Sequence, residues 1–127
     1  MTSSTGRGQR AAPPRPTLAC RLCRTESGNE PVREWLLGLE GEARREIGSD
    51  IKTVQWRWPV AKPLVDGFGE GLYEVRTRWE RNSYRVLFCI CESTMVLPHG
   101  FQKKTRATPE QDIELARKRQ RDVEEAE

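Results

Sequence analysis

An α+β fold with an N-terminal strand, a helical hairpin, an antiparallel β-meander and a C-terminal helix is predicted by three features of this chain. Apolar residues recur four, four and three apart between residues 43 and 54. They alternate with polar ones from residue 72 to residue 101. A sharp helix-start signal follows at Thr108-Pro109. With 127 residues, the chain has the length of one domain.

Residues 1–16, rich in Gly, Ser, Thr, Pro and Arg, show no apolar periodicity and read as a disordered tail ahead of a domain over 17–122, with an acidic end at 123–127. The first strand is expected within Thr17–Arg24, closed by a turn at Ser27-Gly28-Asn29. Asn29 is positioned to cap a short helix with Pro31 in its first turn, and Val32, Trp35, Leu36 and Leu39 fall at helical spacing. After a break at Gly41, Ala43, Ile47, Ile51 and Val54 form one apolar stripe flanked by Arg44, Arg45, Glu46 and Asp50, and this second helix should stop near Trp58-Pro59.

Beyond Pro63 the period becomes two. Leu72–Trp79, Tyr84–Cys91 and Met95–Phe101 read as strands, joined by a four-residue loop at 80–83 and a turn near Glu92-Ser93. Thr108 reads as the N-cap of the last helix, with Pro109 as its first residue and Gln111 completing a capping box. The expected order is β-α-α-β-β-β-α, with the helices on one side of the sheet.

The net charge of +3 is unevenly spread. Residues 1–24 carry five Arg and no acid, so the rest of the chain is net acidic, and its cations concentrate between Lys62 and Arg106. Nucleic-acid binding must therefore use a local patch rather than a uniformly basic surface. No run approaches the ~18 apolar residues of a membrane span, and no apolar segment follows Met1, so a cytoplasmic protein with reduced thiols is expected.

A four-residue loop would set Trp79 opposite Tyr84 and Arg78 opposite Arg85, with Arg76 two residues along the same face. Facing like charges are unfavourable unless an anion lies between them, one points into solvent, or one pairs with Glu74 or Glu80. The end of the third meander strand must return beside Arg85, which brings Lys103-Lys104 and Arg106 to the same region. His99, the single histidine, is the one imidazole available for proton transfer, yet its apolar surroundings favour a structural role. Cys20, Cys23, Cys89 and Cys91 have poor geometry for zinc, because Cys20 and Cys23 would point to opposite faces of an extended strand. They read as buried structural thiols, and no metal or cofactor is expected.

Several ordered blocks carry a resemblance: Gly-Asn-Glu-Pro-Val-Arg-Glu-Trp-Leu (28–36), Glu-Ile-Gly-Ser-Asp-Ile-Lys-Thr-Val-Gln-Trp (46–56), Pro-Leu-Val (63–65), Gly-Leu-Tyr-Glu-Val-Arg (71–76), Tyr-Arg-Val-Leu-Phe (84–88) and His-Gly-Phe-Gln-Lys-Lys-Thr (99–105). From Leu18 to Arg121 the chain resembles the phage-derived, HigB-like branch of the RelE/ParE superfamily of bacterial type II toxins. The resemblance implies a compact RelE-like fold. It also implies an endoribonuclease, or mRNA interferase, that cuts mRNA in the ribosomal A site without metal and is neutralised by a HigA-like helix-turn-helix antitoxin. Operator DNA would be contacted only through that antitoxin.

By the same resemblance, Arg85 matches the arginine set against the scissile phosphate, Arg76 a basic position of the preceding strand, and Lys103 or Lys104 the basic position after the last strand. Lys62, Arg78 and Arg106 would contact RNA, and Lys103, Lys104 or His99 would serve as base. The terminal catalytic tyrosine of RelE has no counterpart here, and Pro98 stands where the branch commonly has Leu. Arg85 is expected to be an exposed cation. The alternatives are a ParE-like inhibitor of DNA gyrase and a non-catalytic regulatory partner.

Overall fold

The computed structural model describes residues 13–126. Most of the expected tail thus lies outside the described residues, and Pro13–Pro16 form neither helix nor strand. The elements are β1 (Ala19–Leu22), α1 (Pro31–Leu37), α2 (Gly41–Arg57), β2 (Val65–Gly69), β3 (Leu72–Trp79), β4 (Asn82–Cys91), β5 (Thr94–Lys103) and α3 (Glu110–Ala126). The five strands form one mixed sheet in the order β1-β5-β4-β3-β2, with β1 parallel to β5 and every other pair antiparallel. The α+β class and the meander are as expected.

Strand pleating gives the sheet two faces with different covers. On one, Ala43, Ile47, Ile51 and Val54 of α2 and Val32 of α1 are buried against Val75, Val86, Phe88, Met95 and Leu97. Trp58, Tyr73 and Phe88 pack with ring centroids 5.0–5.6 Å apart within this core. The other face is covered by α3: Ala116 packs on Leu72 and Leu87, and Val123 on Cys23, Cys89 and Val96. The expectation that all helices share one side is therefore corrected. Alternate residues such as Leu87 and Cys89 are apolar too, so β4 needs a cover on both faces.

Three local readings also change. Asn29 does not cap α1; its side chain bonds Ser27 Oγ at 3.3 Å, and Glu30 precedes the helix without a side-chain cap bond. β2 was not expected, because its sequence Val-Asp-Gly-Phe-Gly carries turn residues rather than β-formers. Its neighbours hold it in place: Arg117 of α3 donates to the carbonyls of Phe68 and Gly69 at 2.8 and 3.2 Å, and Gln120 to that of Glu70 at 2.9 Å. Finally, the β3–β4 loop has two residues, with Glu80 at φ 55, and Trp79 pairs with Asn82.

The β4–β5 register holds an irregularity that explains Pro98. Leu87 pairs with His99 but Cys89 with Val96, so Leu97 and Pro98 together oppose Phe88. A bulge tolerates a residue that cannot donate to the ladder. No helix among the described residues is long and apolar enough to cross a membrane.

Candidate nucleic-acid interface

The two-residue loop moves the β3–β4 register by two from the expected one, which leaves every side chain on its face but changes its partner. Arg76 sits directly opposite Arg85, and Arg78 opposite Ser83, which itself pairs with Lys103 of β5. Arg76, Arg78, Arg85 and Lys103 thus share one end of the sheet, on the face that α3 covers further along. An open groove of about 390 Å³ lies there, lined by Pro63, Leu64, Arg76, Arg78, Ser83 and Arg85.

The facing arginines are reconciled by an internal carboxylate. Glu74 is only 1% exposed, two residues before Arg76 on the same face. Its Oε2 accepts from Arg76 Nε at 3.1 Å and lies 3.6 Å from Arg85 Nε, while Oε1 accepts from Thr108 Oγ1 at 2.8 Å. Arg76 also donates to Asp66 Oδ2 at 2.7 Å, so two carboxylates engage it. Lys62 stands at the rim, exposed, 3.8 Å from Asp66. The Thr108 hydroxyl is thus directed to Glu74, and α3 is assigned from Glu110, one residue beyond the expected start.

Arg85 is buried, 8% exposed, which corrects its expected exposure. Its Nη1 donates to the Tyr84 carbonyl at 3.1 Å, while Nε is buried with no hydrogen-bond partner. Burial lowers its pKa, Glu74 opposes that shift, and Arg76 and Arg78 add to it. Burial followed by repulsion from Arg85 also holds the Lys103 ammonium below the ordinary lysine value. Among the described residues, Arg78, Lys103, Lys104 and Arg106 take part in no ion pair. That end of the sheet is therefore cationic, and its unpaired cations on the strands are Arg78 and Lys103 rather than Arg76.

Other expected residues lie elsewhere. His99 Nε2 is 2.6 Å from Asp112 Oδ1 of α3, and the ring stacks on Phe101 at 5.5 Å. Phe101 is the partner of Arg85 in the ladder, so it stands between the imidazole and the arginines. Lys104 and Arg106 are exposed on the segment leading to α3. Cys23, Cys89 and Cys91 gather beneath α3, and Cys20 is exposed. Among the described residues no group of three or more His, Cys, Asp or Glu side chains is placed to hold a metal. A larger groove, of about 780 Å³, runs between the turn after β1 and α3, and none of the expected site residues lines it.

Sequence reasoning named Glu74 only as one possible partner and missed Asp66 and Thr108. The period-two series Glu74-Arg76-Arg78 is the signal that places the carboxylate among the cations.

Fold and site together define a small α+β protein whose sheet carries a cationic groove at one end. The chain belongs to the family described as Phage derived protein Gp49-like (DUF891), whose model matches residues 34–121. Among curated proteins, none matches the chain.

Proposed function

We propose that this protein is the toxin of a bacterial type II toxin-antitoxin pair and cleaves mRNA in the ribosomal A site. The observation that carries the reading is the convergence of Arg78, Arg85 and Lys103 on one end of the sheet in a Gp49-like chain. The family lies within the RelE/HigB-like toxin group, and the HigB-like branch and its HigA-like antitoxin partner are part of the proposal.

The chemistry asked of the chain is limited. RNA breaks when a base removes the 2′-hydroxyl proton and that oxygen attacks the adjacent phosphorus in line. The bond to the 5′-oxygen breaks, and that oxygen leaves with a proton from solvent. Arg78 and Arg85 meet the charge that builds on the phosphorane oxygens, the largest single contribution available to such a site. The buried Arg85 guanidinium, held by the Tyr84 carbonyl and by Glu74, is preorganised for this. Lys103, with its lowered pKa, is the base. Arg76 acts as a positioning residue, held between Asp66 and Glu74. Ribosomal RNA and the codon-anticodon geometry align the attack.

Primer extension on translated mRNA in cells producing the protein tests the reading. Cuts within codons are expected, and they should vanish when the antitoxin is co-expressed. Growth arrest without cuts, accompanied by loss of gyrase supercoiling, overturns it in favour of a ParE-like inhibitor.

A further inference from the structure

We propose that the groove beside the arginines is a nucleobase subsite, in which Pro63 and Leu64 form a ledge for an unstacked base while Arg78 and Arg85 hold the adjoining phosphate. This inference rests on the RNA-cleavage reading and specifies the substrate as a splayed single strand.

Four observations support it. First, the groove is lined by two chemically different kinds of residue, the apolar Pro63 and Leu64 and the guanidinium-bearing Arg76, Arg78 and Arg85. A lone phosphate needs only the second. Second, Leu64 is fixed, because its side chain packs against the main core and its carbonyl accepts from the Arg76 amide at 2.8 Å. The ledge and the arginine strand are therefore one rigid unit. Third, Arg85 lines the groove while nine-tenths buried, and its Nε makes no hydrogen bond, standing 3.6 Å from Glu74 Oε2. A guanidinium so incompletely satisfied within the chain favours an anionic acceptor on its groove side. Fourth, a volume of about 390 Å³ offers room on the scale of one nucleotide. Unstacked bases are characteristically held between apolar side chains and Arg planes, and exposed Arg78 supplies such a plane.

An acidic, leucine-bearing protein segment has similar chemistry. The nucleotide is favoured because Glu74 and Asp66 already engage Arg76. What remains is a pair of donors beside a flat ledge, suited to a tetrahedral anion joined to a planar ring.

The test is an NMR titration of the full chain, with Leu64 methyl and Arg side-chain signals resolved, using inorganic phosphate, adenosine 3′-monophosphate and N-acetyl-aspartyl-leucine amide as separate probes. The mononucleotide should bind at least about tenfold more tightly than phosphate. It alone should give contacts from adenine protons to the Leu64 methyl groups, and Leu64→Ala should remove the advantage while leaving phosphate binding intact. Equal binding of phosphate and mononucleotide with silent Leu64 methyls overturns the subsite but leaves the phosphate clamp standing. No response of the arginines to either ligand overturns the subsite and the clamp together. Tighter binding of the dipeptide overturns the proposal in favour of a protein segment. The contacts in the parent chain decide the matter if Leu64→Ala does not fold.

Discussion

Thr108 Oγ1 donates a 2.8 Å hydrogen bond to Glu74 Oε1, fastening the approach to the C-terminal helix to the carboxylate that lies between Arg76 and Arg85. Because Glu74 is 1% exposed, its charge is tolerable only while these partners remain. The cationic groove and the docking of α3 are thus parts of one polar network.

Removing members of that network should produce graded losses of stability in urea denaturation. Thr108→Val should cost about 1 kcal/mol, since Glu74 keeps its arginines. Glu74→Ala should cost roughly 3–5 kcal/mol, because it leaves the buried Arg85 charge without its counter-ion. Asp66→Ala, at a more accessible ion pair, should cost at most about 1 kcal/mol. Equal losses for Asp66 and Glu74 would contradict a central role for Glu74.

Arg78 and Arg85 should separate in mutational tests. Arg78 is exposed and outside any ion pair among the described residues, so Arg78→Ala should change stability by no more than about 0.5 kcal/mol. If it donates to the phosphorane, that variant should reduce cleavage about 10²–10³-fold. Arg85→Ala would confound chemistry with folding, whereas Arg85→Lys retains the charge but lacks the planar fork that reaches both Glu74 and a phosphate. It should fold and cleave poorly, as judged by circular dichroism and primer extension. Unchanged cleavage in Arg78→Ala would remove Arg78 from the site.

The reading from sequence succeeded where side-chain period and burial coincide. The Ala43, Ile47, Ile51 and Val54 stripe and the limits of β3 are found where the periodicity puts them. It failed where one residue decides a geometry. Glu80 takes a left-handed conformation without being Gly or Asn, so the short loop left no mark in composition and Arg76, not Arg78, faces Arg85. β2 depends on side chains of α3 some fifty residues away, and no local pattern encodes that support. The cations at the site were legible because topology returns β5 beside β4. The carboxylate that organises them was legible only in outline.

Lys103 should announce itself in the pH dependence of cleavage. Its pKa is lowered by burial and by Arg85, so the reactive neutral amine becomes available at a lower pH than for an ordinary lysine. The logarithm of the cleavage rate on programmed ribosomes should rise with a slope of ~1 through neutral pH and level off below the usual lysine value. Lys103→Arg should abolish that slope, and Lys104→Arg should leave it. A slope retained in Lys103→Arg would exclude Lys103 as the base.

Alkali should weaken the fold through Cys89. Burial pushes its thiol up to about 12 from the ordinary 9.0, with Cys91 adding to the shift. Below pH 9 the thiol is neutral in both folded and unfolded chains and contributes no pH dependence. Between the two values the unfolded chain releases the proton and the folded one retains it, so stability falls as pH rises. The stability of Cys89→Ala should decline less steeply than that of the parent over this range in urea titrations. Parallel curves would show that Cys89 ionises as readily folded as unfolded.

Gly100 should tolerate no side chain, for a reason of packing rather than backbone conformation. A Cβ there would lie 2.6 Å from Cε3 and Cζ3 of Trp35, well inside contact distance. Trp35 holds the seven-residue helix α1 on β5, also tilting against Tyr84 at 6.3 Å. That helix has no side-chain cap bond, so its order depends on packing. Gly100→Ala should therefore cost about 1–3 kcal/mol by overpacking. Trp35→Leu in the same chain should recover part of the loss, because the two positions are in direct contact and their effects do not add. Gly100 and Trp35 lie on the face opposite the arginine groove, so the surviving folded fraction should cleave at the parental rate. Additive losses in the double variant would show that the ring does not rest on the glycine.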